Sequence, residues 1–335
     1  MAGRHLRPAR SRRHGGGVVV RVLVGTLAFV AGAAILLYPM LSEVSAQREA
    51  RAAVTSAMEA GGWGAAGGSS DASAKRDKGA DPAYQWLLAY NARVATGEGG
   101  AINDPWGIGS NEDELAQVGL PDALVGTLYA PVLGEDLPVY LGSSTDHLSQ
   151  GVAVVSGTSS PLGQTGSNVL IAGHRSGTSG LRIFRDVEDL AVGDTLVLET
   201  PWDTLGYRMV ETLIIDPTDA TAVDEVCAVQ PGRDLVTLMT CHPYPTTRQR
   251  YVVVFERDDT VVSEAVGPDA GTVEALLARN PVSEALSPSD SPQLALERWV
   301  RLAGLAFMLL SVTWGAIGAV RAVVRRVRRG SRGDE

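Results

Sequence analysis

Cysteine is nearly absent: the 335-residue chain holds only Cys227 and Cys241. A disulfide-dense secreted scaffold is therefore excluded. Two thiols are also too few for a cysteine-built structural zinc site. A basic excess is missing as well. The net charge is −9, which argues against a nucleic-acid binder. No internal repeat is visible, and no phosphate loop or dinucleotide fingerprint with the required spacing. Only five histidines occur. Apolar residues at 45% and charged residues at 20% are close to the ordinary globular mix, so bulk disorder is not expected.

Charge is segregated along the chain. Residues 1–21 carry six arginines and no acid, and residues 321–335 carry six arginines with Asp334 and Glu335. Between these tails 36 acidic residues face 17 basic ones. Inside the tails lie two long apolar runs without charge, twenty residues at 22–41 and nineteen at 302–320. About 20 apolar residues cross a bilayer as a helix. The first run reads as a retained anchor or as a cleaved secretory signal ending near Val44-Ser45-Ala46, and its length favours the anchor. The second, flanked by Arg298 and Arg301 before it and a denser arginine cluster after it, reads as a membrane helix, or more plainly as a buried core helix. Positive charge stays in the cytoplasm. Both termini are thus expected inside and residues 42–301 outside: a multi-pass protein of the cell membrane with an extracellular body.

That body begins with a helix over 42–59, a Gly/Ser-rich linker over 61–81 and a second helix over 83–95. From residue 124 eight β-prone runs alternate with Gly, Pro and Asp turns: 126–133, 137–141, 152–155, 169–172, 195–198, 207–215, 235–240 and 251–256. Such spacing predicts a closed barrel or sandwich. A helical turn is expected at 181–189 and a helix at 272–286, before a Pro/Ser stretch that leads to the second apolar run.

Cys241 ends the run Thr237-Leu238-Met239-Thr240-Cys241, ahead of the turn-like His242-Pro243-Tyr244-Pro245. A cysteine at a strand end combines access with a rigid backbone, which suits a nucleophile. The plainer reading is a buried structural thiol. Among the histidines, His5 and His14 lie in the basic tail, and His147 sits in a polar stretch expected to be solvated. His242 neighbours Cys241 but faces the opposite way on a continuing strand. His174 ends another β-prone run and is the remaining candidate base. Cys227 reads as a small buried apolar residue, since a disulfide to Cys241 would remove the nucleophile.

The TLxTC pentapeptide at 237–241, with Arg250 nine residues beyond the cysteine, resembles the active-site signature of the sortases. Val169–Arg175, followed by Phe184-Arg185-Asp186 and Gly193-Asp194, is similar to the family's histidine block. The stretch Gly157-Thr158-Ser159-Ser160-Pro161 to Gly166 is similar to its GTSxPxGxxGN stretch. Asp104-Pro105-Trp106 resembles the lid of the class C, pilus-assembling members, and Cys241-His242-Pro243-Tyr244 and the second membrane segment fit that class. His242 stands where threonine is more usual, and Pro245 where glycine is common.

The resemblance implies a mainly β fold: a closed eight-stranded barrel with short helices, an N-terminal helical and lid region, and two flanking transmembrane helices. The expected boundaries are a cytoplasmic tail at 1–21, a membrane helix at 22–41, helices, linker and lid at 42–123, and the catalytic barrel at 124–265. A helix and linker at 266–301, a membrane helix at 302–320 and a tail at 321–335 follow. It implies a cysteine transpeptidase that cleaves an LPXTG-like sorting signal between Thr and Gly and passes the acyl group to a pilin lysine. Cys241 would be the nucleophile and His174 the acid and base. Arg250 would hold the substrate or stabilise the oxyanion, with Arg248 as its competitor, and Thr240 would support the site. Asp104, Pro105 and Trp106 would cover the thiol. Neither a cofactor nor a metal is expected. The expected partners are LPXTG-tailed pilins or surface proteins, an amine acceptor and the membrane, with no nucleic acid. Two other readings are a housekeeping-type sortase that attaches proteins to the cell-wall peptide, and a non-enzymatic surface binding protein.

Overall fold

Runs of β-branched and aliphatic residues separated by turns give eight strands: β1 (Leu124–Tyr129), β2 (Asp136–Leu141), β3 (Val152–Val154), β4 (Ser167–Ala172), β5 (Thr195–Glu199), β6 (Thr204–Ile215), β7 (Asp234–His242) and β8 (Gln249–Arg257). In this computed structural model they close into a barrel in the order β1-β2-β3-β4-β7-β8-β6-β5. The structure describes residues 16–60, 75–97, 118–134, 136–175, 183–244, 246–264 and 292–330. The closing contact is the antiparallel pair β5–β1, and only β2–β3 and β4–β7 run parallel. All eight strands expected from the sequence are present, with the first shifted toward the N-terminus.

Strand β7 explains why the barrel holds. It lies between β4 and β8, and its first seven residues are all buried. A central strand covered on both faces reads as a nearly continuous apolar run, as Leu235, Val236, Leu238 and Met239 do. Its polar members are satisfied from the side. Thr237 Oγ1 donates to Asn168 Oδ1 at 2.8 Å, and Asn168 Nδ2 donates to the carbonyls of Val226 (2.8 Å) and Ala228 (3.0 Å). Those carbonyls end α4 (Ala220–Cys227; α numbering in chain order), whose N-cap Asp219 accepts from Thr221 and Ala222. Asn168 thereby pins two strands and one helix.

Helix α1 (Gly16–Ala60) is continuous, where the sequence suggested an apolar run and a separate helix. Ala46, Ala50 and Val54, four residues apart, are buried members of the core. Helix α2 (Pro82–Ala95) starts at Asp81, which caps Ala83 and Tyr84, with proline at the first helical position. Ala83, Leu87 and Asn91 form its buried stripe. Asn91 donates to Ser160 O (3.1 Å) and Gln164 Oε1 (2.7 Å) and accepts from Ser160 N (2.7 Å), while Tyr90 Oη accepts from Gly157 N (2.6 Å). The Gly157–Gly166 stretch is thus tied to α2. Helix α3 (Thr145–Gln150) and the short α5 (Val261–Glu264) complete this part of the chain.

The chain divides into two compact units, residues 41–280 and residues 1–40 with 281–335. In the second, α1 approaches α6 (Pro292–Gly330) so closely that a Cβ on Gly32 would lie 2.8 Å from Gly304 O. Among the described residues no helix is long and apolar enough to cross a membrane. Stretches 22–41 and 302–320 are helical, with part of their side chains outside the description. Segments 98–117 and 265–291, which include the residues expected to form a lid and the helix expected at 272–286, lie outside the described residues. Within 181–189 the described residues hold the expected helical turn, a 3-10 turn at Val187–Asp189.

At the start of β7 Asp234 is buried. Its Oδ1 accepts from Ser167 Oγ (3.2 Å) and Tyr207 Oη (3.3 Å), and Arg257 Nη1 stands 3.7 Å from Oδ2. Burial pushes the Asp234 carboxyl up to about 6, and Arg257 only partly opposes this. The folded chain therefore holds that proton more tightly than the unfolded one. Its stabilising contribution is full below about pH 4 and is lost as pH rises through about 6. Asp234→Asn should escape this loss. Its stability relative to the parent, from denaturant titrations at pH 4 and pH 7, should rise by about 3 kcal/mol over that interval. Equal pH slopes for the two proteins would contradict the assignment.

Candidate active site

Cys241 is the eighth of nine residues of β7 and is partly exposed, whereas Thr240 before it is fully buried. Alternation along the strand turns these neighbours to opposite faces. Thr240 Oγ1 donates to Gly173 O at 2.7 Å, which welds the end of β7 to the end of β4.

The parallel β4–β7 ladder brings the histidine to the cysteine. Ala172 pairs with Met239, and Gly173 N continues the ladder by donating to Met239 O at 3.1 Å. Carried two residues further, the same register sets His174 beside Cys241. Gly173 is required there: a Cβ would sit 2.7 Å from the Phe184 ring and 2.8 Å from Ile183. Phe184 N in turn donates to His174 O at 3.1 Å. Burial lowers the His174 pKa below its ordinary value, so the imidazole is largely neutral at pH 7. A neutral ring can take a proton from a thiol or an amine.

Arg250 enters from the other side. In the antiparallel β7–β8 pair it is the direct partner of Cys241. It is 3% exposed, and its Nη1 donates to the carbonyls of Thr247 (2.9 Å) and Gln249 (3.2 Å). Its rival Arg248 is exposed in the turn before β8. Three distant segments thus deliver a thiol, an imidazole and a permanent cation to one end of the barrel. A thiol can attack a carbonyl carbon there, an imidazole can shuttle the proton, and a guanidinium can stabilise the oxyanion. Among the described residues no three His, Cys, Asp or Glu side chains are gathered as a metal ion requires. Asp104, Pro105 and Trp106 lie outside the described residues.

Two expectations about the remaining candidates meet different outcomes. Cys227 is buried at the end of α4, and burial pushes its thiol up to about 12, so it is an inert apolar residue. His147 is not solvated: it is 5% exposed in α3, stacked on Tyr140 with centroids 4.8 Å apart, and its Nδ1 lies 2.6 Å from Gly142 O. The Ser144 cap turns this polar stretch into a helix, and the ring is packed inward.

Sequence reasoning overlooked Glu188. Its Oε1 accepts from Arg175 Nη1 at 2.5 Å and from His242 Nδ1 at 2.8 Å, and the Arg175 hydrogen bond holds its carboxyl below the ordinary range. Nothing in a lone glutamate within Asp186-Val187-Glu188-Asp189 marks it. The available signal was the unusual His242, whose protonated ring nitrogen requires an acceptor.

The family model for the sortase domain matches residues 128–258. Sortase SrtE2 of Streptomyces coelicolor is 30% identical over 188 residues, which cover 50% of this chain and 70% of that protein. Sortase D of Bacillus subtilis is 26% identical over 135 residues, 39% of this chain and 63% of that protein. Sortase A of Listeria monocytogenes is matched over 59% of its length, so the chain spans about three fifths of these two relatives. The similar solved structures include class C sortases, among them sortase C-3 from Streptococcus pneumoniae, at 35% identity and a TM-score of 0.47, covering 55% of this chain and 88% of that one. The match of residues 128–258 to the sortase-domain model, with 30% identity over 70% of the Streptomyces coelicolor protein, makes the chain a member of the sortase family.

Proposed function

We propose that this protein is a membrane-anchored cysteine transpeptidase of the class C type. The observation that carries the reading is the register: His174 and Cys241 at adjacent ends of parallel strands, with Arg250 directly across from the cysteine. In the first half-reaction the Cys241 sulfur bonds to the Thr carbonyl carbon of an LPXTG-like signal. His174 takes the thiol proton as the sulfur attacks, the Thr–Gly C–N bond breaks, and that same proton leaves with the glycine amine. In the second, an incoming amine attacks the thioester, His174 takes its proton, the C–S bond breaks and a new amide forms. Arg250 faces the oxyanion in both steps. Asp104, Pro105 and Trp106 are assigned to a lid over the thiol, which would keep water from ending the reaction.

The acceptor is assigned as a pilin lysine and the location as the cell membrane, with both termini cytoplasmic and the barrel outside. Support comes from the charge-free lengths of 22–41 and 302–320, their continuous helices, and outward apolar side chains such as Leu27, Phe29, Phe307 and Leu310. Close packing at Gly32 is the small-residue contact that membrane helices use in place of a hydrophobic driving force.

The test is mass spectrometry of the full-length protein incubated with an LPXTG-tailed pilin. A Cys241 thioester followed by a lysine isopeptide is the expected sequence of products. Transfer only to a cell-wall peptide amine would replace pilin polymerisation by wall attachment, and no adduct at Cys241 would remove the enzymatic reading.

A further inference from the structure

Arg175 directly follows His174, and His242 directly follows Cys241. Both side chains converge on a single oxygen, Glu188 Oε1, at 2.5 and 2.8 Å. Arg175 Nη1 and His242 Nδ1 lie 3.5 Å apart across it. An ionised carboxylate only accepts hydrogen bonds, so Nδ1 of His242 carries its proton toward Glu188. The cluster is enclosed: the side chains of Arg175, His242 and Glu188 are 3%, 18% and 28% exposed. The Tyr251 ring, 5.6 Å from the His242 ring, flanks it on β8. In such surroundings charge-assisted bonds are short and directional. A buried guanidinium is also costly to leave without its carboxylate.

We propose that Glu188 is a positioning residue that locks the ends of β4 and β7 together, through Arg175 behind His174 and His242 behind Cys241. Gly173 N donates to Met239 O and Thr240 Oγ1 to Gly173 O just before the reacting pair, and the Arg175–Glu188–His242 bridge adds a side-chain tie just beyond it, from the side of the strands opposite the thiol. His242 is therefore part of the device. This inference rests on the transpeptidase reading for its consequence in turnover, but not for its geometry.

The experiment uses the full-length protein with Glu188→Gln, which keeps size and one acceptor but loses the charge, and with His242→Phe. The first readout needs no sorting peptide: the rate of iodoacetamide alkylation of Cys241 at pH 7. Loss of the tie lets the imidazole drift from the thiol, so alkylation should slow at least fivefold in Glu188→Gln, with Cys227 unlabelled. Simple destabilisation does the reverse, since it speeds labelling and opens Cys227. The second readout is turnover of an LPXTG peptide, where kcat should fall about 10- to 100-fold with KM within twofold. The double variant should be no worse than the poorer single one, because both remove the same link. Alkylation unchanged or faster in Glu188→Gln, or multiplying effects of the two substitutions, overturns the proposal. If the parent protein alkylates normally yet never loads the peptide, the transpeptidase reading fails instead, and the alkylation comparison still decides the role of Glu188.

Discussion

Replacing Cys241 with alanine should abolish acyl-enzyme formation and lower transpeptidation by roughly 10⁴-fold or more, since no other described group can form the thioester. The fold should be unaffected: Cys241 is partly exposed at the end of its strand, and the bond that holds this end belongs to Thr240. The matched control is Cys227→Ala. That thiol is buried and held protonated by its surroundings, so its removal costs packing but should leave the rate per folded molecule within about twofold. The assay is peptide transfer by chromatography together with intact-mass detection of the adduct. A Cys241→Ala protein that still processes the sorting peptide would return the chain to the non-enzymatic reading.

The second large effect separates two arginines of nearly identical sequence context. Arg250→Ala should lose about 10²- to 10³-fold in kcat/KM, the range expected when a preorganised oxyanion donor is removed. Arg248→Ala should stay within about twofold. The difference follows from β8 beginning at Gln249: Arg250 is locked across from Cys241, while Arg248 is left in the exposed turn. Arg250→Lys should recover little, because an ammonium cannot hold the Thr247 carbonyl and face the substrate with a fixed fork at once. Thermal unfolding of each variant separates lost chemistry from lost structure. Equal losses at 248 and 250 would mean that the charge acts at long range and the register plays no part.

The strands were legible because a closed barrel leaves its mark locally. Runs such as Val169–Ala172 and Leu235–Thr240 are β-branched and aliphatic, with turn residues on both sides. Cys241, His174 and Arg250 were legible as types at strand ends, but their meeting was not, because it depends on β4 and β7 being neighbours across an intervening β5, β6 and α4. The helix over 145–150 escaped because its signal is a six-residue polar stretch with one serine cap, and burial of His147 follows from Tyr140 on another element. Asn91 and Glu188 are ordinary polar residues in sequence. Their roles exist only after the 157–166 stretch folds onto α2 and the 3-10 turn reaches the barrel end. The single α1 was hidden by the change from apolar to charged composition at residue 42, which alters what surrounds a helix without ending it.

The two thiols stand at opposite ends of the barrel wall. Cys227 closes the helix that Asn168 grips near the start of β4, and Cys241 lies some six strand residues further along, roughly 20 Å away. A disulfide spans less than about 7 Å between Cα atoms, so the molecule contains no resolving partner for its reactive sulfur. If an oxidant converts Cys241 to a sulfenic acid, reduction depends on a thiol supplied by another molecule; without one, a second oxidation to the sulfinic acid retires the site permanently.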